Sequence, residues 1–360
     1  MTVQTMDQQA ALALACPKVL LHEHLDGGLR PGTLLDLLRQ QGLAAPAADA
    51  AGVVAWMAAR AHAGSLEEYL RGFALTVAAM ASPQALERVA FEAVEDAAAD
   101  GCVLAEFRIA PLLFEAHGLP ADDALAALLA GLRRGAAATA LPTGLIVCAM
   151  RHLDSAETVR AVRLAQRHQG QGVIGFDLAG PEAGHPPADH GQALALAREA
   201  GLPLTLHAGE ADAGERVLQA ARLGARRIGH GVRLADLLDQ PQAADMLIEL
   251  HQRGTHLEVC PTSNVHTGAA RSLATHPLAA LWRVGVSLSF HTDNRLISGV
   301  TQSAEALNLV TQLGMGWDDL LQMGLQAAAA SFLPNGARAQ ARQRLLHWGR
   351  QQGLLPAASG

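Results

Sequence analysis

His22-Glu23-His24 places two imidazoles two residues apart, directly after the apolar run Val19-Leu20-Leu21. On a β-strand, residues i and i+2 point to the same side, so both rings can reach one metal ion from a single strand end. Further apolar runs end in Asp177-Leu178-Ala179-Gly180, His207-Ala208-Gly209-Glu210, Gly229-His230-Gly231 and His291-Thr292-Asp293-Asn294. Imidazole and carboxylate ligands from His22, His24, His207 and Asp293 suit a divalent metal, zinc by ligand type, with room for a bound water. Zinc would lower the pKa of that water to about 7, giving hydroxide at neutral pH. Glu210, three residues past His207, has the chemistry of a general acid or base. His230 sits between glycines and can approach the bound water closely, as base or as orienter. Isolated histidines such as His152 and His266 are not read as ligands. Lys18 is the only lysine and precedes the first apolar run. It would sit at the wrong face to supply the carboxylated lysine that bridges two metals in many barrel hydrolases, so one ion per chain is expected.

These groups need a scaffold that brings distant strand ends together. Eight buried strands are expected at 19–22, 102–109, 143–150, 173–178, 202–207, 226–230, 256–260 and 286–291. Each is short and rich in Val, Ile and Leu, as parallel strands covered on both faces are. Helical patterns lie between them, at 156–167, 191–200, 215–222 and 242–252. The alternation predicts an α/β fold with a parallel sheet, and eight strands predict a closed (β/α)8 TIM barrel with its chemistry at the C-terminal strand ends. One domain covers 1–360. The long first connection, about 31–100, is expected to insert a helical cap over the mouth. Leu66, Tyr69, Leu70 and Phe73 would give that cap an apolar face. Helices are expected over 301–350, with a stop at Phe332-Leu333-Pro334. Charged residues at Glu106/Arg108 and Arg151-His152 are read as structural.

Composition excludes other classes. The 360 residues are half hydrophobic, yet no run is long enough to span a bilayer. Net charge is −7 with no basic stripe, which argues against a nucleic-acid partner. Cys16, Cys102, Cys148 and Cys260 form no C-x-x-C pair and read as buried thiols in a reducing cytoplasm. The N-terminus lacks a basic segment ahead of its short apolar stretch and reads as a lead-in, not an export signal. Nothing in the sequence sets an oligomeric state.

Taken together, the motifs resemble the adenosine deaminase family of amidohydrolase barrels. The matching text begins with Pro17-Lys18-Val19 and His22-Glu23-His24-Leu25-Asp26-Gly27. It continues through Ser65-Leu66-Glu67-Glu68-Tyr69-Leu70, Met150-Arg151-His152, Gly175-Phe176-Asp177-Leu178-Ala179-Gly180, His207-Ala208-Gly209-Glu210 and Arg227-Ile228-Gly229-His230-Gly231. It ends with Cys260-Pro261-Thr262-Ser263-Asn264, Thr292-Asp293-Asn294 and Ala330-Ser331-Phe332-Leu333-Pro334. The resemblance implies one zinc ion on His22, His24, His207 and Asp293. It implies that Glu210 protonates purine N1, that the metal-bound hydroxide attacks C6, and that His230 orients it. The backbone N–H of Gly180 would meet purine N3. The segment carrying Leu66, Tyr69 and Phe73 would be an apolar gate over a purine nucleoside. Asp26, beside His24, matches the position that holds the ribose 5′-hydroxyl, and a carboxylate there disfavours a 5′-phosphate. Asn294 departs from the Asp common at its position, but its amide N–H can still donate to purine N7.

The implied reaction is hydrolysis of adenosine, and of deoxyadenosine, to inosine and ammonia. A close alternative is another 6-aminopurine, such as adenine or a modified nucleoside. A catalytically dead relative would require a lost ligand or acid, and all six groups are present. A two-metal hydrolase of cyclic amides lacks its bridging lysine.

Overall fold

The computed structural model describes residues 5–62, 66–70 and 72–356, apart from the side chains of Glu67 and Glu68. Eight strands pair in parallel in chain order: β1 Lys18–Leu20, β2 Cys102–Ile109, β3 Thr143–Met150, β4 Val173–Ala179, β5 Leu204–Ala208, β6 Ala225–His230, β7 His256–Val259 and β8 Leu288–Phe290. The ladder closes on itself beyond the ends of β1 and β8, where the His24 N–H donates to the Asp293 carbonyl at 2.8 Å and the Asp293 N–H donates to the His22 carbonyl at 3.0 Å. The (β/α)8 barrel is therefore sealed by the residues singled out for metal chemistry.

Helices surround the strands. α1 (Met6–Ala15) precedes β1. Before β2 come α2 (Pro31–Gln40), α3 (Ala50–Ala61), α4 (Leu66–Leu70), α5 (Phe73–Ala79) and α6 (Pro83–Ala99). Single helices α7 (Ala121–Thr139), α8 (Ser155–Arg167), α9 (Gly191–Glu199), α10 (Glu215–Arg222) and α11 (Ala243–Arg253) follow β2 to β6 in turn. α12 (Pro261–His266) and α13 (Leu278–Arg283) lie between β7 and β8. α14 (Arg295–Ser298), α15 (Gln302–Thr311), α16 (Trp317–Ala330) and α17 (Asn335–Gln351) complete the chain. No helix among the described residues is long and apolar enough to cross a membrane.

Local chemistry explains several boundaries. α6 starts at Pro83, whose missing N–H costs nothing in the first turn, and the Ser82 hydroxyl accepts from the Ala85 N–H. α6 packs along α7, so it belongs to the outer ring; within 31–100 the segments that reach the mouth are α4 and α5. The expected apolar helix over Leu66–Phe73 is two helices, with a turn at Gly72. Lys18 is buried at the far end of the barrel, where its ammonium donates to the carbonyls of Ala13 and Cys16 at 2.7 Å and closes the C-terminal end of α1. All four cysteines are free and buried.

Candidate active site

Asp293 sits between the two N-terminal histidines because the barrel seam runs through it. Asp293 (φ +60°) and His230 (φ +63°) both adopt the left-handed conformation, which costs a non-glycine residue about 1–3 kcal/mol and persists only where surrounding structure imposes it. The result is a tight set of donors. His22 Nε2 lies 3.3 Å from Asp293 Oδ1, His24 Nε2 lies 3.5 Å from the same oxygen, and His24 Nε2 lies 3.2 Å from His207 Nε2. Ligands on a tetrahedral zinc, with bonds of about 2.0–2.1 Å, stand about 3.3 Å from one another, so these separations fit a single ion.

The ring orientations also fit. His22 Nδ1 pairs with Glu258 Oε2 at 2.9 Å and His207 Nδ1 with Asp177 at 3.0 Å, leaving each Nε2 bare. His22 Nε2 is buried with no hydrogen-bond partner. A Cβ at Gly229 would lie 2.9 Å from His22 Cε1, so only glycine lets the ring stand there. His230 also brings an atom within 4.8 Å of donors from His22, His207 and Asp293. Burial holds His24 well below its ordinary pKa and lowers His230 to about 4, so both rings are neutral at pH 7. Burial acts to raise Asp293, but the close approach of His22 and the surrounding imidazoles outweighs it and holds the carboxyl well below the usual range. His291, also at the end of β8, is turned into the barrel, where its Nδ1 accepts from the Leu21 N–H at 3.1 Å.

Glu210 stands beside this set, with Oε2 3.4 Å from His230 Nε2. Burial raises its carboxyl to about 7, and the charge of Asp293 pushes the same way. The loop that carries it is clamped by Glu182, a buried carboxylate that accepts four backbone N–H bonds, from Gly209 (2.6 Å), Glu210 (2.9 Å), Ala211 (2.7 Å) and Asp212 (3.1 Å). Arg151 ties neighbouring strand ends together by donating to the carbonyls of Leu178 and His207.

These groups open onto a cavity of about 610 Å³. Leu66, Tyr69, Leu70 and Phe73 form one apolar wall, and Asp26, Gly180 and Asn294 line the rest with Met150 and His152. Tyr69 is buried and its hydroxyl bonds to Ser298 Oγ at 2.8 Å, so the cap is pinned to α14. Asp26 Oδ1 is buried without a partner, and burial raises that carboxyl to about 7. A Cβ at Gly27 would lie 1.9 Å from Asn294 Oδ1, so Gly27 makes room for that amide. Among the described residues, no lysine or arginine lines the cavity. Arg30 is held by Asp96 at 2.7 Å, and Arg295 pairs with Glu23 and Asp96.

His22, His24, His207, Glu210, His230 and Asp293 thus meet at one place, and Asp26, Gly180, Asn294, Leu66, Tyr69 and Phe73 line the same cavity. His152, expected only to brace loops, lines it too. Ser65 lies outside the described residues. Sequence reasoning missed Glu182, Glu258 and Thr267. Glu258 had a signal, since it shares its strand face with His256 inside an apolar run. Thr267 had none beyond its closeness to Asn264.

The adenosine deaminase family model matches residues 17–348. An adenosine deaminase of Mycobacteroides abscessus is 44% identical over 330 residues, covering 88% of this chain and 91% of that protein. The adenosine deaminase of Mycobacterium tuberculosis is 43% identical over 330 residues, covering 88% and 90%. Among solved structures, an amidohydrolase from Burkholderia ambifaria with bound Zn superposes with a TM-score of 0.85 at 26% identity, covering 98% of this chain and 95% of that one. An adenine deaminase from Arthrobacter aurescens shares the fold, with a TM-score of 0.84 at 24% identity, covering 93% and 100%. The extent of these matches, over a barrel whose strand ends gather the motifs described above, shows that the chain belongs to the adenosine deaminase family.

Proposed function

We propose that this chain hydrolyses adenosine to inosine and ammonia at the seam between β1 and β8, with one zinc ion held by His22, His24, His207 and Asp293. A bound zinc would lower the pKa of a coordinated water to about 7. The chain's own groups do the rest. Glu210, whose carboxyl burial raises to about 7, donates its proton to purine N1 and makes C6 electrophilic. His230 orients the attacking water. The water oxygen bonds to C6. One of its protons passes to the amino nitrogen, the other makes good the proton given by Glu210, the C6–N bond breaks and ammonia leaves. The apolar wall around Phe73 excludes bulk water from the reacting centre.

One observation carries the choice of a nucleoside. Asp26 presents a buried carboxyl oxygen that lacks a partner, on a cavity whose described lining holds no lysine or arginine. A ribose hydroxyl satisfies that oxygen, free adenine leaves it unpaired, and a 5′-phosphate meets no lysine or arginine among the described residues. Asn294 turns Oδ1 toward Gly27, which leaves its N–H₂ as the group for purine N7.

The test is metal analysis of purified protein, paired with ammonia release from adenosine, deoxyadenosine, adenine and AMP. The expected result is one zinc per chain and turnover of the two nucleosides well above adenine and AMP. Preference for adenine or AMP would overturn the reading.

A further inference from the structure

α12 and Thr267, the residue that caps its C-terminal end, bring two polar side chains to the groups that handle protons. Asn264 Nδ2 lies 3.0 Å from His230 Nδ1 and 3.4 Å from Glu210 Oε1. Thr267 Oγ1 lies 2.8 Å from the same Glu210 Oε1. All four side chains are buried. The atoms left over are Glu210 Oε2 and His230 Nε2, 3.4 Å apart.

An amide nitrogen only donates, and it carries two hydrogens. One goes to His230 Nδ1, which must then be bare, so a neutral His230 carries its proton on Nε2. The other goes to Glu210 Oε1, which also receives the Thr267 hydroxyl. In a carboxylic acid the carbonyl oxygen is the good acceptor, so two donors on Oε1 leave the acid proton on Oε2. The opposite amide orientation fits worse. Asn264 Oδ1 now occupies a buried spot without a partner. Turning the amide would strand two N–H donors there instead of one carbonyl, the costlier orphan.

We propose that Asn264 and Thr267 are positioning residues that fix the acid proton of Glu210 on Oε2 and the imidazole proton of His230 on Nε2. Both protons then belong to the atoms that α12 does not use. When Oε2 passes its proton to the purine nitrogen, the charge left on Oε2 faces the His230 Nε2–H. This inference rests on Glu210 being the proton donor of the proposed deamination.

The tautomer of His230 is read directly from the ¹⁵N-histidine NMR spectrum of the metal-loaded protein, assigned by the signals missing in His230→Asn. The expected result is the Nε2–H form, with loss of that single form in Asn264→Leu. An Nδ1–H signal in the unsubstituted protein overturns the proposal, and that measurement needs no turnover. In kinetics, Thr267→Val should lower kcat about ten- to a hundredfold, with KM within about threefold and zinc retained, while Thr267→Ser stays within about threefold of the parent. Equal behaviour of the two, whether both active or both dead, overturns it. Failure of the parent protein to deaminate adenosine, or near-normal turnover by Glu210→Gln, counts against the underlying reading instead.

Discussion

Five donor side chains crowd the barrel seam, one more than the proposed set of His22, His24, His207 and Asp293, and hydrogen bonding separates the proposed ligands from their neighbour. His22 and His207 each give Nδ1 to a carboxylate and keep Nε2 bare. His24 Nε2 lies within 3.5 Å of both Asp293 and His207. His230 instead faces Asn264 on one nitrogen and Glu210 on the other. His24→Ala should therefore lose most of its zinc, whereas His230→Ala should keep close to one ion per chain and lose turnover. Metal analysis of the two variants decides this, and the reverse pattern would move His230 into the ligand set. Glu210→Gln should keep zinc and fold but lose about two to four orders of magnitude in kcat, as removal of a general acid does. Near-normal rates would place the proton source elsewhere.

Among the elements, α12 has reach beyond its six residues. Ser263 donates to Asp293 Oδ2 at 2.6 Å, and Asn264 and Thr267 hold Glu210 and His230. Its own first turn is anchored by Glu305 of α15, whose Oε1 accepts from the Thr262 N–H at 2.9 Å. Burial raises the Glu305 carboxyl from 4.5 to about 7. The folded state thus binds this proton more tightly than the unfolded chain does. The resulting stabilisation is complete below about 4.5, declines as pH rises toward 7 and is gone above it, a span worth at most about 3 kcal/mol. Glu305→Gln removes the ionisation while Oε1 can still accept. Its melting temperature should lose that decline between pH 5 and 7, and parallel pH profiles for variant and parent would remove Glu305 as the source. The strands themselves were legible, because β3 is an apolar run and β2 is one interrupted only by Glu106 and Arg108. The ends of β1 and β8 were read too long, at 19–22 and 286–291. Beyond Leu20 and Phe290 the backbone follows the left-handed turn at Asp293, which no hydrophobic pattern encodes. Glu182 escaped notice because its partners are backbone N–H groups 27–30 residues away. Glu258 meets His22 across 236 residues, a contact visible only once the barrel closes.

Across the whole molecule, the barrel interior is a chain of charges and not only layers of aliphatic side chains. Glu106 pairs with Arg227 at 2.7 Å, Arg227 with Glu258, Glu258 with Arg108 at 2.6 Å, and Arg108 with Asp177 at 2.8 Å. All five side chains are fully buried. At its upper end the chain meets His22 through Glu258 and His207 through Asp177, so the same charges that fill the barrel aim two of the imidazoles. At its lower end Glu106 accepts from Ser331 Oγ and the Phe332 N–H, and the Phe332 ring lies 3.7 Å from the Arg227 guanidinium. The motif Ala330-Ser331-Phe332-Leu333-Pro334 therefore plugs the barrel floor, far from the mouth. Arg227→Met would leave Glu106 and half of Glu258 as unpaired buried charge, which costs about 3–5 kcal/mol. Arg108 would still hold Glu258 against His22, so zinc content should not change. Adding Glu106→Gln removes one stranded charge and keeps an acceptor for Ser331 and Phe332. The double variant should therefore regain part of the denaturation midpoint lost by Arg227→Met alone. If the double variant is no more stable than the single, packing of the arginine against Phe332, not charge pairing, is what holds the floor.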